Sequence, residues 1–485
     1  MRRLIVFSFA AALSLAVLQA WAEPVAERRF SPQEVGADFA ELYPRLAASH
    51  FGLFARRAKG EYDALFRTMA AAFDRPMTAV DVRVAFQKFL AFGRVAHARI
   101  EFPGEAYGAY RDGGGRTMPV FIRVKSGRVF VAENGSETPI APGDEIVALN
   151  GAPIGDWLVR LGAHVSADND YMLHTLLENR FAALLWLELG PIDSFTLTVR
   201  DVRGVSREVV VPARTRAEIK ATFARQAPRL ELDWDARVFR MIGSVGYLRP
   251  GPFYNNDLNA TNIWDTTNFR NFIDASFASL MRADARSLVI DLRDNPGGDN
   301  SFSDLMVAWY ASKPFRFCRD FRVKASAAAI AANAKRVAMA PDDKEGISAK
   351  FAAAYARHRV GDVFSFEIPE VQPRAGARFT GKVYLLINRH SYSNAVQVAA
   401  LSQDYGFATI VGEETSDLAT TLGAMEHFTL PRTGIEVGFP KAHIIRVNGD
   451  TRPRGVVPDN AIDTPVVEPQ ADVVLQRALA IAAGR

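Results

Sequence analysis

A serine that could act as a nucleophile stands at Ser393, between an apolar run, Lys382–Ile387, and a stretch at 394–402 in which Ala, Val and Leu recur at helical spacing. The first run reads as a strand and the second as a helix. A serine at such a junction lies beside the unpaired N–H groups of a helix start, where a developing negative charge is stabilised. That suits acyl transfer, in which the attacking hydroxyl generates an oxyanion. By itself the residue also reads as a helix N-cap.

A second stretch about a hundred residues earlier supplies the missing half of such a site. Ser287–Asp291 reads as a buried strand, and the turn at 294–298 carries Pro296, Gly297 and Gly298. Glycine lets the backbone approach a substrate closely and point bare N–H groups at it. Two strand ends, one with a serine and one with a Gly-Gly turn, make a plausible acyl-transfer centre. The oxyanion donors expected from this are the N–H groups of Gly298 or Gly297 and of Asn394.

Together these segments resemble the C-terminal processing (tail-specific) serine peptidase family. Asp291-Leu292-Arg293 and Asn295-Pro296-Gly297-Gly298 match its first motif. Ser393, Asp404, Gly406, Ala408, Val411, Gly412, Glu413 and Thr415 match its second, and Gly455-Val456-Val457-Pro458-Asp459 its last. The spacing to Gly412-Glu413 selects Ser393 over Ser391. The resemblance implies an α/β fold with a ClpP/crotonase-like catalytic core.

Departures from the family pattern narrow the mechanism. Leu418 stands where many members carry a lysine base, and no lysine lies between Lys382 and Lys441. The branch that resembles the tricorn core protease uses histidine instead, from a short motif after an N-terminal helical region. His97 in Gly93-Arg94-Val95-Ala96-His97-Ala98 fits that place. An imidazole there can take the Ser393 proton and return it to the leaving amine. The family's glutamate before the last motif is replaced by Arg452. Asp450, Glu413 and Asp417 are the candidate acids to orient the imidazole, and the residues do not choose among them. A relative that has lost its chemistry, and binds peptides or apolar ligands, is the alternative reading on the same scaffold.

Three units must position these groups. Residues 25–104 show helical periodicity, with start signals at Ser31-Pro32 and Thr78, and should carry the base. Residues 105–213 read mainly as strands. Their segment 140–154, IAPGDEIVALNGAPI, resembles the PDZ run, a fold that captures extended peptides by strand addition. A helical insert is expected at about 157–189. Residues 230–470 alternate strands and helices and form the catalytic unit, with an Ala-rich helical insertion at 325–359.

Composition bounds what remains. The N-terminus has Arg2, Arg3, an apolar run from Leu4 and Ala20-Trp21-Ala22, the pattern of a signal peptide cut after Ala22. A secreted or periplasmic chain with no other membrane span is expected. Removing the two arginines takes the net charge from +4 to +2. No basic stripe with interleaved aromatics marks a nucleic-acid partner. The partners expected are protein or peptide substrates. With a single cysteine, Cys318, no internal disulfide can form. No cofactor motif and no metal-ligand spacing such as H-E-x-x-H occurs.

Overall fold

A computed structural model describes residues 28–227, 230, 232–467 and 470–484. The expected signal peptide, residues 1–22, lies outside the described residues. No helix among them is long and apolar enough to cross a membrane.

The site is built on a six-stranded sheet in the order Asn460–Ala461, Thr409–Gly412, Lys382–Ile387, Ser287–Asp291, Val245–Arg249, Val238–Ile242. The first five strands are parallel and the last pairs antiparallel. Near-continuous apolar strands such as KVYLLI suit a parallel sheet covered on both faces. Leu288, Ile290, Leu385 and Ile387 pack under the helices Thr267–Arg282, Asn300–Val307 and Asn394–Tyr405. Val289, Tyr384 and Leu386 face the other way, against the helix Val473–Ala482. In such sheets ligands bind beyond the carboxyl ends of the strands. Here the 294–298 turn, Ser393 and Asp417 all follow such ends.

A four-stranded antiparallel sheet, Val363–Ser365, Asp320–Lys324, Glu436–Ile445, Thr421–Thr429, stands beside it. The Ala-rich insertion forms two helices, Ala327–Met339 and Ile347–Tyr355. They pack on this second sheet through Ala329, Phe351 and Tyr355.

The N-terminal helices are Pro32–Ser49, Lys59–Ala71 and Ala79–Ala91, and the first and third begin at the expected start signals. Ser31 and Thr78 each form a reciprocal capping box, with Glu34 and Asp81. Their aromatic core of Phe39, Phe86 and Phe89 is shared with Phe428, Val437 and Phe439 of the 421–445 hairpin. The stretch at 99–102 is no free-standing strand. Arg99 makes a single antiparallel bridge to Gly438, so it borrows the hairpin edge.

Between 118 and 213 lies a six-stranded antiparallel sheet, Val120–Lys125, Arg128–Asn134, Glu145–Leu149, Ser194–Arg200, Ser206–Pro212, with the short strand Ala152–Pro153 pairing off Glu145–Leu149. The expected insert is two helices, Ile154–Gly162 and Asp170–Leu189. A helix at Gly104–Asp112, which was not expected, precedes the sheet.

Candidate active site

Two loops, one after Ser287–Asp291 and one after Lys382–Ile387, are sewn together before they reach the serine. Asn388 Nδ2 donates to Asp294 Oδ1 at 2.9 Å, and the Asp294 N–H donates back to Asn388 Oδ1 at 3.1 Å. The Ser391 hydroxyl donates to the Leu292 carbonyl at 2.7 Å and accepts from the Asn388 N–H, so it is consumed by structure. The Tyr392 N–H donates to the Asn295 carbonyl at 2.9 Å.

Ser393 then adopts φ 52° and ψ −120°. That left-handed backbone is unfavourable for a residue with a Cβ and persists only where neighbours impose it. Its side chain makes no cap hydrogen bond to the helix, so the N-cap reading of this serine is not realised. Its N–H donates to Asp417 Oδ2 at 2.6 Å. Asp417 Oδ1 accepts the Leu418 N–H at 2.8 Å, and the carboxyl is buried. The same sharp strand-to-helix turn lifts the serine of hydrolase elbows into a cleft.

Gly297 and Gly298 lie against it. A Cβ on Gly297 would sit 2.6 Å from the Tyr392 carbonyl, 2.7 Å from the Asn394 nitrogen and 2.9 Å from Ser393 Cβ. Only glycine allows that approach. The Gly297 N–H donates to Asn295 Oδ1 at 2.9 Å and is occupied. The N–H groups of Gly298 and Asn394 have no acceptor among the described residues. Asn295 Nδ2 donates to the Gly251 carbonyl, and the Phe253 N–H to the Gly297 carbonyl, which fixes the turn to a third strand end.

His97 is buried, with its ring stacked on Tyr392 at 5.7 Å between centroids and 18° between planes. Burial and the Arg99 charge push its pKa down to about 3, against a smaller effect of the Leu422 carbonyl. The imidazole is therefore neutral, the form a base requires, but while it stays buried in this way it accepts a proton poorly. No hydrogen bond joins it to Ser393 Oγ, and its Nδ1 is buried without a partner.

The three candidate acids are placed very differently. Glu413 is held by Arg389 at 2.6 Å and by the Thr464 hydroxyl. Asp450 is held on the surface side by Arg452 at 2.6 Å. Of the three, Asp417 alone bonds Ser393 itself, and it does so through the backbone N–H. A fourth carboxylate, which no motif marks, is Asp168. It is buried on Arg56, its Oδ2 has no partner, and its charge is felt by both Asp417 and Tyr392.

Burial, reinforced by the Asp168 charge, pushes Asp417 up to about 7. The unfolded carboxyl releases its proton near pH 4. Between those values the folded state binds the extra proton, so folding stability falls as pH rises from about 4 to about 7. Asp417→Asn is expected to flatten that part of the curve of urea midpoint against pH. An unchanged slope in the variant would remove Asp417 as its source.

Leu418, at the position of the family's lysine, is buried. The nearest downstream lysine, Lys441, is tied to Glu426 at 2.6 Å. No group of three His, Cys, Asp or Glu side chains among the described residues could hold a metal ion.

The outer motifs are structural joints. Thr415 Oγ1 accepts the Val456 N–H at 2.9 Å, and a Cβ on Gly455 would lie 1.9 Å from the Thr415 carbonyl. Asp459 accepts the Ile410 N–H at 2.7 Å. Asp404 binds Arg446 at 2.7 Å.

Peptidase family S41 matches this chain over residues 244–462, the span that carries all of these motifs. No curated protein matches by sequence. Among solved structures, mature CPAF complexed with lactacystin is 16% identical, with a TM-score of 0.62 over 89% of this chain and 94% of that one. A second structure of mature CPAF gives 16% identity and a TM-score of 0.60 over 89% of this chain and 92% of that one. At such identity the likeness speaks for the fold alone. Residues 244–462 are a peptidase family S41 domain, and the chain is a serine-type peptidase.

Proposed function

We propose that the protein is a secreted or periplasmic endopeptidase that cleaves protein or peptide substrates through an acyl-enzyme on Ser393. The observation that carries this is the Ser393 backbone, held at positive φ beside two N–H groups without acceptors. Ser393 Oγ attacks the scissile carbonyl carbon and its proton passes to His97. The N–H groups of Gly298 and Asn394 hold the resulting oxyanion; losing one such donor costs about 3–4 kcal/mol of barrier. The C–N bond breaks as His97 returns the proton to the leaving amine. Water then attacks the ester, again through His97, and frees the serine. The His97 ring must turn from its place on Tyr392 toward Ser393 Oγ, a tightening common when substrate arrives. Asp417 acts by fixing the Ser393 backbone rather than by orienting the imidazole.

The core fits a ClpP/crotonase-like class, and the 118–213 sheet a PDZ-like one. At the 120–125 edge, however, the Val124 N–H already donates to Glu178 at 2.7 Å and its carbonyl accepts from Arg389 at 2.9 Å. That favours a packing role for this edge over peptide capture by strand addition. Secretion rests on the Arg2-Arg3 start and the Ala20-x-Ala22 site.

A fluorescent phosphonate that labels serine peptidases tests the reading. Wild-type protein is expected to label, and Ser393→Ala and His97→Ala to remain unlabelled. A labelled Ser393→Ala protein places the nucleophile elsewhere. A wild type that neither labels nor cleaves is a ligand-binding relative.

A further inference from the structure

A cavity of about 160 Å³ opens between the N-terminal helices and the helix Asp170–Leu189. Its wall includes Ala96 and Tyr392, the neighbours in sequence of His97 and Ser393. Apolar side chains such as Ile100, Phe102, Leu176 and Leu184 line it beside three arginines, Arg83, Arg99 and Arg180. The one acid facing it is Glu101, which is already bound to Arg99 Nε at 2.7 Å. Arg99 Nη1 reaches the Tyr392 hydroxyl at 3.2 Å. Arg83 touches only the Glu101 carbonyl, at 3.3 Å. His164, also on the wall, sits against Glu188, which Lys88 and Arg160 neutralise in turn.

Among the described residues Arg180 makes no hydrogen bond and no ion pair. The side chain is half-buried, so its guanidinium has shed part of its hydration, which a carboxylate in the cavity would replace. Burial and repulsion from Arg99 both disfavour the Arg180 charge, and Glu101 and the Tyr392 hydroxyl offset them only in part. The cavity thus carries three cations against one anion, with one planar five-donor fork left open.

We propose that this cavity is a subsite that receives a carboxylate of the peptide substrate, with Arg180 as the group that binds it. A carboxylate matches the guanidinium fork in two parallel hydrogen bonds. The apolar wall accommodates the short aliphatic stem that carries it. Two sources have this chemistry: an Asp or Glu side chain near the scissile bond, and the free C-terminus of the chain being cut. The subsite rests on the Ser393 reading, since it gains its meaning as specificity from the neighbouring nucleophile.

The test uses fluorogenic peptides in matched pairs. One set exchanges Glu for Gln at each position flanking the bond, and another has free or amidated C-termini. Wild type is expected to favour the carboxylate member of one set by roughly ten- to a hundred-fold in kcat/KM, the range for a charged hydrogen bond made or lost. That set names the source. In Arg180→Gln the ratio is expected to collapse to within about two- to three-fold, and Arg180→Lys to keep part of it, as a point charge without the fork. An Arg180→Gln ratio equal to that of wild type overturns the proposal. A second arm needs no catalysis. Glutarate is expected to raise the melting temperature of Ser393→Ala protein in a concentration-dependent way, glutaramide is not, and Arg180→Gln is expected to abolish the glutarate effect. Glutarate stabilisation that survives in Arg180→Gln, or is absent from Ser393→Ala, overturns it too. If no peptide is cut while the glutarate arm holds, the Ser393 reading fails and the carboxylate site stands.

Discussion

Replacing Ser393 by glycine is expected to abolish hydrolysis and, at the same time, to make the protein more stable by about 1–2 kcal/mol. The loss of activity follows from removing the hydroxyl. The gain in stability follows from the backbone: φ 52° and ψ −120° burden any residue with a Cβ by about 1–3 kcal/mol, and glycine is relieved of that strain. Added chain entropy in the unfolded state takes part of it back. Ser393→Ala keeps the Cβ and should be inactive without the gain, so the pair separates the chemistry from the strain. Urea unfolding of the three proteins at one pH reads both effects. A glycine variant less stable than the alanine one would mean that Asp417 and the Tyr392 loop do not force this conformation.

The second large effect lies away from the serine. Arg293 donates to Asp291 Oδ2 at 2.7 Å and Oδ1 at 3.0 Å, and to Asp472 Oδ2 at 2.6 Å and Oδ1 at 2.9 Å. Asp291 is fully buried, and Arg249 and the Tyr247 hydroxyl also reach it. Asp472 caps the last helix through the Leu475 N–H. Arg293→Met would leave a buried carboxylate short of charge and free the cap from its anchor. Breaking one side of a buried pair costs about 3–5 kcal/mol. The urea midpoint is expected to fall accordingly, with little change in slope. A loss below about 1 kcal/mol would show that Arg249 and Tyr247 suffice for Asp291.

The strands were legible because parallel strands buried on both faces are nearly unbroken apolar runs, as in SLVID and KVYLLI. The capping boxes at Ser31 and Thr78 were legible because their chemistry is local. The helix at Gly104–Asp112 was not: Gly104 and Gly108 hide a turn that its surroundings stabilise. Nor was the fate of residues 99–102, whose only strand partner is Gly438, far along the chain. The acids show the same limit. Glu413, Asp417 and Asp450 are equivalent as letters, and they part company through Arg389, the Ser393 N–H and Arg452. Asp168 and Arg180 carry no motif at all. What sets them apart is an unfilled position, at Asp168 Oδ2 and on the Arg180 fork, which only packing reveals.

The aromatic core shared by the first helices and the 421–445 hairpin has a consequence for biosynthesis. His97 and Arg99 leave the ribosome more than three hundred residues before Gly438, which pairs with the Arg99 backbone. Until then Phe39, Phe86 and Phe89 lack the hairpin side chains that cover them. The proposed base and nucleophile therefore cannot be assembled until residues 421–445 have been made. Up to that point the nascent chain holds a serine and a histidine that nothing brings together.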